Sequence, residues 1–143
     1  MLPLDTTINA YFCIYGDDFS VDKFTQEMEI TPTTTRNQGE IFMKGTTKHV
    51  SYTTDWVYET GDQLTNNPLI QLHELVGPLN KKIDVINHYK KKFNLQSQIV
   101  IVIRFTEYQT PGLHFDHKLI KFAYETNSPY SVDIYCNVQP ESI

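Results

Sequence analysis

His114, Asp116 and His117 are the residues whose types and spacing come closest to those of a metal site. Two imidazoles and a carboxylate are good ligands for zinc or iron. The spacing crosses a turn into a predicted helix, however, and Asp116 is also a good N-cap, because its side-chain oxygen accepts a hydrogen bond from a free first-turn N–H. We favour a loop with a helix cap. A small-ligand or metal-binding turn, with or without enzymatic activity, is the alternative.

A second candidate is the carboxylate pair Asp17 and Asp18, with Asp22 about one helical turn later. Paired carboxylates can divide general acid and base roles, but only where their environments separate their pKa values. Adjacent residues on a turn do not meet this condition, and Asp in a turn commonly bonds its own backbone. A nucleophilic pair of Cys13 with a distant histidine is disfavoured, because Cys13 lies inside a predicted strand.

Familiar catalytic and cofactor motifs do not occur in this sequence. The six glycines are scattered singly, so there is no phosphate-binding GxGxxG or GxxxxGK loop, and GxSxG, HExxH and CxxC are also missing. We therefore predict a non-enzymatic protein with no catalytic residue, no bound metal and no cofactor.

Charge is unevenly distributed along the chain. The net charge is −5, and residues 1–62 carry ten acidic and four basic side chains, which leaves the remainder slightly basic. An acidic half disfavours nucleic acid, because neutralising phosphates is the main source of that affinity. It favours a protein partner with a basic surface, because complementary charge steers encounter. We interpret the lysines as a solvated helix face: Lys81, Lys82, Lys90, Lys91 and Lys92.

The elements that must position these residues follow from hydrophobic spacing. Residues 11–15 predict a short strand, and Val21, Phe24 and Met28 predict a helix capped by Asp18 or Ser20. Residues 33–39 are mostly polar and show no periodicity, which predicts a loop. Residues 41–47 indicate a hairpin, and alternation over residues 50–60 predicts one long strand with Trp56 and Tyr58 on the same face.

Hydrophobic spacing also predicts the elements of the second half of the chain. Residues 68–93 predict a long helix that Pro78 kinks or splits. Residues 99–103 are apolar at both odd and even positions, so both faces of this strand are expected to be buried, which predicts a central place in the sheet. Asp116 begins a helix that ends before Pro129, and residues 131–138 alternate as a half-buried strand.

These elements predict an α+β fold of one domain spanning residues 1–143. A single layer of mixed or antiparallel sheet carries helices mainly on one face, in the order β-α-β-β-α-β-α-β. This is a ferredoxin-like layout with an α-β extension. Cys13 and Cys136 are predicted to be buried free thiols, which favours a reducing cytosol. Without a signal peptide or a run long enough to span a membrane, we expect a cytoplasmic protein with no membrane contact.

The chain resembles a bacterial family catalogued as domain of unknown function 4279. The resemblance covers nearly the whole chain. It rests on these motifs and positions: Phe12-x-Ile14-x-Gly16-Asp17-Asp18-Phe19, Ile30-x-Pro32-Thr33, Gly39-Glu40, Trp56, the helix from His73 through Leu75 and Pro78 to Leu79, Pro111-Gly112-Leu113-x-Phe115 and Val132-Asp133-Ile134-Tyr135.

The resemblance implies a position beside bacterial toxins, and hence an immunity protein that binds and neutralises a toxin domain in the cytoplasm. It supplies no catalytic residue. For such a role, acidic and aromatic side chains are the expected partner-binding residues. The candidates are Asp17, Asp18, Trp56, Tyr58, Glu59 and Asp62.

Overall fold

A computed structural model describes residues 6–105 and 111–136 of the chain. The elements in these two ranges are β1 (Thr7–Gly16), α1 (Val21–Met28), β2 (Thr34–Arg36), β3 (Ile41–Lys44), β4 (Thr47–Val50), β5 (Thr54–Glu59), β6 (Gln63–Leu64), α2 (Pro68–Asn80), α3 (Ile83–Phe93), β7 (Gln96–Phe105), α4 (His117–Thr126) and β8 (Tyr130–Cys136).

The main sheet has the strand order β2-β5-β1-β7-β8, and β6 pairs with the start of β1 beside β5. All of its pairings are antiparallel except that of β7 with β8. The strands β2, β5, β1 and β7 are arranged as in a ferredoxin-like sheet, and α4 with β8 forms an extension. The predicted α+β class is confirmed.

One face of the sheet packs on the helices. Along β1 the even-numbered side chains from Ile8 to Ile14 are fully buried, and the register places Phe12 between Tyr58 of β5 and Ile99 of β7. The Phe24 ring of α1 meets the Trp56 ring edge-on, with centroids 5.0 Å apart. Trp56 Nε1 donates to Thr25 Oγ1 at 3.0 Å, so this buried indole has its polar partner.

Helix ends follow the local chemistry of the sequence. Ser20 caps α1 by accepting from the Lys23 N–H, which selects Ser20 over Asp18 as the cap. Asp116 caps α4 by accepting from the Leu119 N–H at 3.1 Å, as predicted. The predicted long helix is split near Pro78: this proline lies in the last turn of α2, which ends at Asn80, and α3 begins at Ile83.

The region between β1 and α2 differs from the prediction. The expected long strand over residues 50–60 is broken, because the Ser51 hydroxyl donates to the Thr53 carbonyl at 2.7 Å and turns the chain between β4 and β5. As a result, β3 and β4 form a separate two-stranded sheet. The predicted loop 33–39 contains β2, which pairs with β5.

Strand β8 is also more exposed than predicted. Among the described strands it is the last of the sheet, so its side chains have neighbours from this set on one side only. Val132, Ile134 and Cys136 are exposed, which corrects the prediction of a half-buried strand and of a buried Cys136. Residues 137 and 138 of the predicted strand lie outside the described residues.

Candidate protein-binding surface

The sheet face opposite the helices, here called the open face, is the candidate functional surface. Every strand side chain in the hydrophobic core belongs to the helix face, and the alternating residues of the same strands form the open face. Its central side chains are Tyr11, Cys13, Tyr15, Asp55, Val57, Glu59, Val100, Val102, Asp133 and Tyr135.

The centre of the open face is apolar and aromatic. Val100 and Val102 of β7 are only 3% and 8% exposed, yet neither belongs to the core cluster. Tyr11 lies in register between Glu59 and Val100, so its ring has an acidic neighbour on one strand and an apolar one on the other. Tyr135 at the β8 side is half exposed. The partly exposed Tyr11 and Tyr135 rings are the kind of anchor that protein interfaces favour, whereas the valines are too buried to contact a partner themselves.

Carboxylates flank this centre: Glu59 lies opposite Tyr11, and Asp133 lies opposite Val102. Burial, followed by the nearby Asp133, Cys13 and Glu59, raises the pKa of the Tyr11 hydroxyl above its ordinary value. Burial raises the pKa of the Cys13 thiol to about 12, with a further contribution from Asp55. Among residues 6–105 and 111–136, no basic side chain lies within ion-pair distance of these three carboxylates. The open face therefore presents unpaired negative charge around apolar groups.

The two arginines of the open face sit towards its ends and already have partners. Arg104 on β7 lies 3.8 Å from the Asp62 carboxylate and 5.4 Å from the Tyr135 ring centroid. Arg36 on β2 lies opposite Asp55 in the strand register and over the Phe42 ring at 3.7 Å. Neither arginine forms an ion pair with Glu59 or Asp133 among the described residues.

The predicted partner-binding residues are distributed over three places. Glu59 lies on the open face, and Asp62 borders it through Arg104. Asp17 and Asp18 are exposed in the turn after β1. Asp18 lines a separate cavity of about 850 Å³ between α1 and α3.

Trp56 and Tyr58 point to the other side of the sheet. Trp56 is 0% exposed and packs in the core, so it is not available to a partner, and its inclusion among the surface candidates is corrected. Tyr58 lies beside it, half-buried, with ring centroids 6.5 Å apart. The alternation of residues 50–60 identified their shared face, but not that this face is the one covered by helices.

The turn from His114 to His117 is organised around a residue from another element. One Asp116 oxygen caps α4, and the other lies 2.6 Å from His73 Nε2 of α2, while His114 and His117 are exposed. Partial desolvation acts to raise the pKa of Asp116, but the hydrogen bonds from Leu119 and His73 outweigh it and lower the pKa. No group of three or more His, Cys, Asp or Glu side chains is placed to hold a metal ion within the described residues.

Sequence reasoning missed most of the open face. Tyr11, Tyr15, Asp133 and Tyr135 were not among the candidates, although Asp133 and Tyr135 alternate with side chains predicted to be buried. The sequence did contain one signal for this face. Residues 99–103 are apolar at both odd and even positions, whereas Val100 and Val102 would be expected to be polar if they lay on a fully solvated face.

A family model described as "Domain of unknown function (DUF4279)" matches residues 6–137. Neither a curated protein nor a solved structure matches the chain. Within the described ranges, no helix is long and apolar enough to cross a membrane.

Proposed function

The chain belongs to the family of domains of unknown function DUF4279, and we propose that it is a non-enzymatic binding protein that uses the open face to hold a basic protein surface. The observation that carries this proposal is the register of the open face, which places Glu59 opposite Tyr11 and Asp133 opposite Val102. Such a patch offers an aromatic anchor together with charges that select the partner.

The rigidity of the open face supports the proposal. Its side chains project from paired strands of the main sheet, so few backbone groups need to become ordered when a partner binds. The carboxylates have no intramolecular ion pair to lose among the described residues. Binding a lysine or arginine of a partner would therefore add ion pairs without breaking any.

We propose further that the partner is a bacterial toxin domain, which the chain binds and neutralises in the cytoplasm as an immunity protein. Three features support this role: the sequence has a net negative charge, it lacks the catalytic motifs considered above, and the description of its family names no reaction. Neutralisation would follow when the open face covers the part of the toxin that its own substrate must reach.

Co-expression with the product of a neighbouring toxin-like gene tests this function. Cells producing that toxin should grow when the wild-type chain is present, and the two proteins should purify as a stoichiometric complex. Replacing both Glu59 and Asp133 by Lys should abolish protection and weaken binding by at least about 2 kcal/mol, since each charge then repels the basic partner.

A matched variant controls for net charge. Glu74→Lys with Glu125→Lys makes the same change in charge on exposed residues of α2 and α4, in the helix layer. It should protect cells as well as the wild type does. A folded Glu59→Lys, Asp133→Lys protein that still binds and protects would remove the open face as the interface, and failure of the wild type to bind any toxic neighbour would reject the immunity role.

A further inference from the structure

The hairpin of β3 and β4, residues 41–50 and here called the arm, is a second surface with a distinct composition. It forms its own two-stranded sheet and, in the part of the chain that the structure describes, does not pair with the main sheet. Ile41 pairs with Val50 and Met43 lies two residues along on the same face, where they are 66%, 50% and 56% exposed. Exposed apolar side chains grouped in this way mark an interaction site.

The arm is held in a defined shape. Gly45, with φ of +65°, occupies the first central position of the two-residue turn, where glycine is favoured in hairpins. On the opposite face from Ile41, the Phe42 ring stacks on His49 with centroids 5.5 Å apart, and Arg36 lies over Phe42. At the base, the Ser51 N–H donates to the Glu40 carbonyl at 2.8 Å.

The charge of the arm is opposite to that of the open face. Residues 41–50 contain Lys44 and Lys48 and no acidic residue, within a chain whose net charge is −5. Lys48 pairs directly with Met43, so a positive charge adjoins the exposed apolar side chains. The open face offers the complement: Glu59 lies opposite Tyr11 and Asp133 lies opposite Val102, and neither carboxylate has an ion-pair partner among the described residues.

We infer that the arm of one copy packs on the open face of a second copy in a symmetric dimer. Ile41, Met43 and Val50 pack on the partly exposed rings of Tyr11 and Tyr135, and Lys44 and Lys48 approach Glu59 and Asp133. A two-fold axis lets each copy give its arm and receive the other, so both interfaces form together and the assembly closes.

The dimer would also regulate binding. It covers the open face, so self-association and partner binding exclude each other, and partner binding must release the arm. This regulation rests on the proposed function, whereas the dimer itself does not.

A charge-exchange experiment with the full chain tests the inference. Sedimentation of the wild type should show a monomer–dimer equilibrium that shifts towards monomer as salt increases, since the ion pairs are partly exposed. Two variants should each be monomeric: Lys44→Glu with Lys48→Glu on the arm, and Glu59→Lys with Asp133→Lys on the open face. Each reversal should weaken dimerisation at least about tenfold.

Mixing the two variants provides the decisive result. In the mixed dimer an acidic arm meets a basic face and a basic arm meets an acidic face, so both interfaces regain complementary charge. Equimolar mixing should therefore produce a heterodimer from two proteins that do not associate alone. Urea unfolding of each variant shows whether it is folded, and Glu74→Lys with Glu125→Lys should dimerise like the wild type.

Three outcomes would overturn the inference: a wild type that stays monomeric at all concentrations, a dimer that survives both reversals, or a mixture that fails to associate. A dimer unaffected by these reversals but lost in Ile134→Lys would place the contact at the β8 edge instead. Failure here is distinguishable from failure of the proposed function, because the arm variant should still protect cells from the toxin while the open-face variant should not.

Discussion

At the scale of single residues, most of the chemistry-bearing side chains have structural partners. Asp116 caps a helix and binds His73, which lies 43 positions away in the sequence. The sequence predicted that Lys90 lies on a solvated helix face. Instead, Lys90 Nζ donates to Ser97 Oγ and to the carbonyls of Thr126 and Asn127 at the end of α4. Sequence alone reveals the cap, because a cap is local. It does not reveal His73 or the acceptors of Lys90, because the fold brings those contacts together.

The Asp116–His73 pair predicts how stability depends on pH. The pKa of Asp116 is lower in the folded protein than the ordinary value of about 3.9. The stabilisation from its carboxylate is therefore fully present above that pH and is lost as the pH falls through the folded pKa. We expect Asp116→Asn, which can still cap Leu119, to melt below the wild type near neutral pH and to converge with it in acid.

Melting temperatures measured from neutral pH down to about pH 2 would check this expectation. Asp116→Ala serves as the control, because it also loses the cap and should melt lowest at neutral pH. A difference between the wild type and Asp116→Asn that did not change with pH would show that the ionised carboxylate contributes nothing.

The two cysteines should differ in reactivity. Cys13 lies on the open face with a pKa raised to about 12, so almost no thiolate forms at neutral pH. Cys136 is exposed on the edge strand. We expect iodoacetamide to modify Cys136 rapidly and Cys13 only after denaturation, and mass spectrometry of digested protein would measure both. Rapid modification of Cys13 in the folded protein would contradict the partial burial of this side chain and the raised pKa of its thiol.

At the scale of elements, the sequence predicted helices and central strands better than edges. The apolar spacing of α1 and the cap of α4 depend on neighbours within a few residues, and both are present. The short β2 and the break between β4 and β5 depend on pairing across the sheet and on one hydroxyl contact from Ser51, which no periodicity encodes.

Trp56 tests the packing of β5 against α1. Because its side chain is fully buried against Phe12 and Phe24, Trp56→Ala should lower the free energy of unfolding by about 3–5 kcal/mol. Tyr52→Ala is the matched control, since this exposed ring should contribute no more than about 0.5 kcal/mol. Urea unfolding would measure both. Equal effects of the two substitutions would contradict the assignment of Trp56 to the core.

At the scale of the whole molecule, a stable sheet carries an arm that contributes little to its stability. The arm pairs only within itself among the described elements and holds no core residue. The hairpin and the acidity of the first half were both predicted from the sequence, but no relation between them was predicted. The arm is basic and the open face is acidic, and this contrast becomes visible only once the fold places the carboxylates on one face of the sheet.

Removing the arm should therefore leave the fold intact. Replacing residues 41–50 by Asn-Gly keeps the bond between Ser51 and Glu40 as the closing pair of a shorter hairpin. We expect the free energy of unfolding to change by less than about 1 kcal/mol, as for other surface changes. Chemical denaturation would measure it, and a loss of several kcal/mol would mean that the arm stabilises the main sheet.

The position of β1 in the middle of the sheet has a consequence for synthesis in the cell. Phe12 pairs with both Tyr58 and Ile99, so β1 gains its second neighbour only after the roughly 80 residues between β1 and β7 have been translated. At a rate of synthesis of about 5–20 residues per second, the apolar face of β1 stays exposed for on the order of ten seconds before β7 has been made. During that interval the nascent chain should be a substrate for ribosome-associated chaperones, and the finished protein should not.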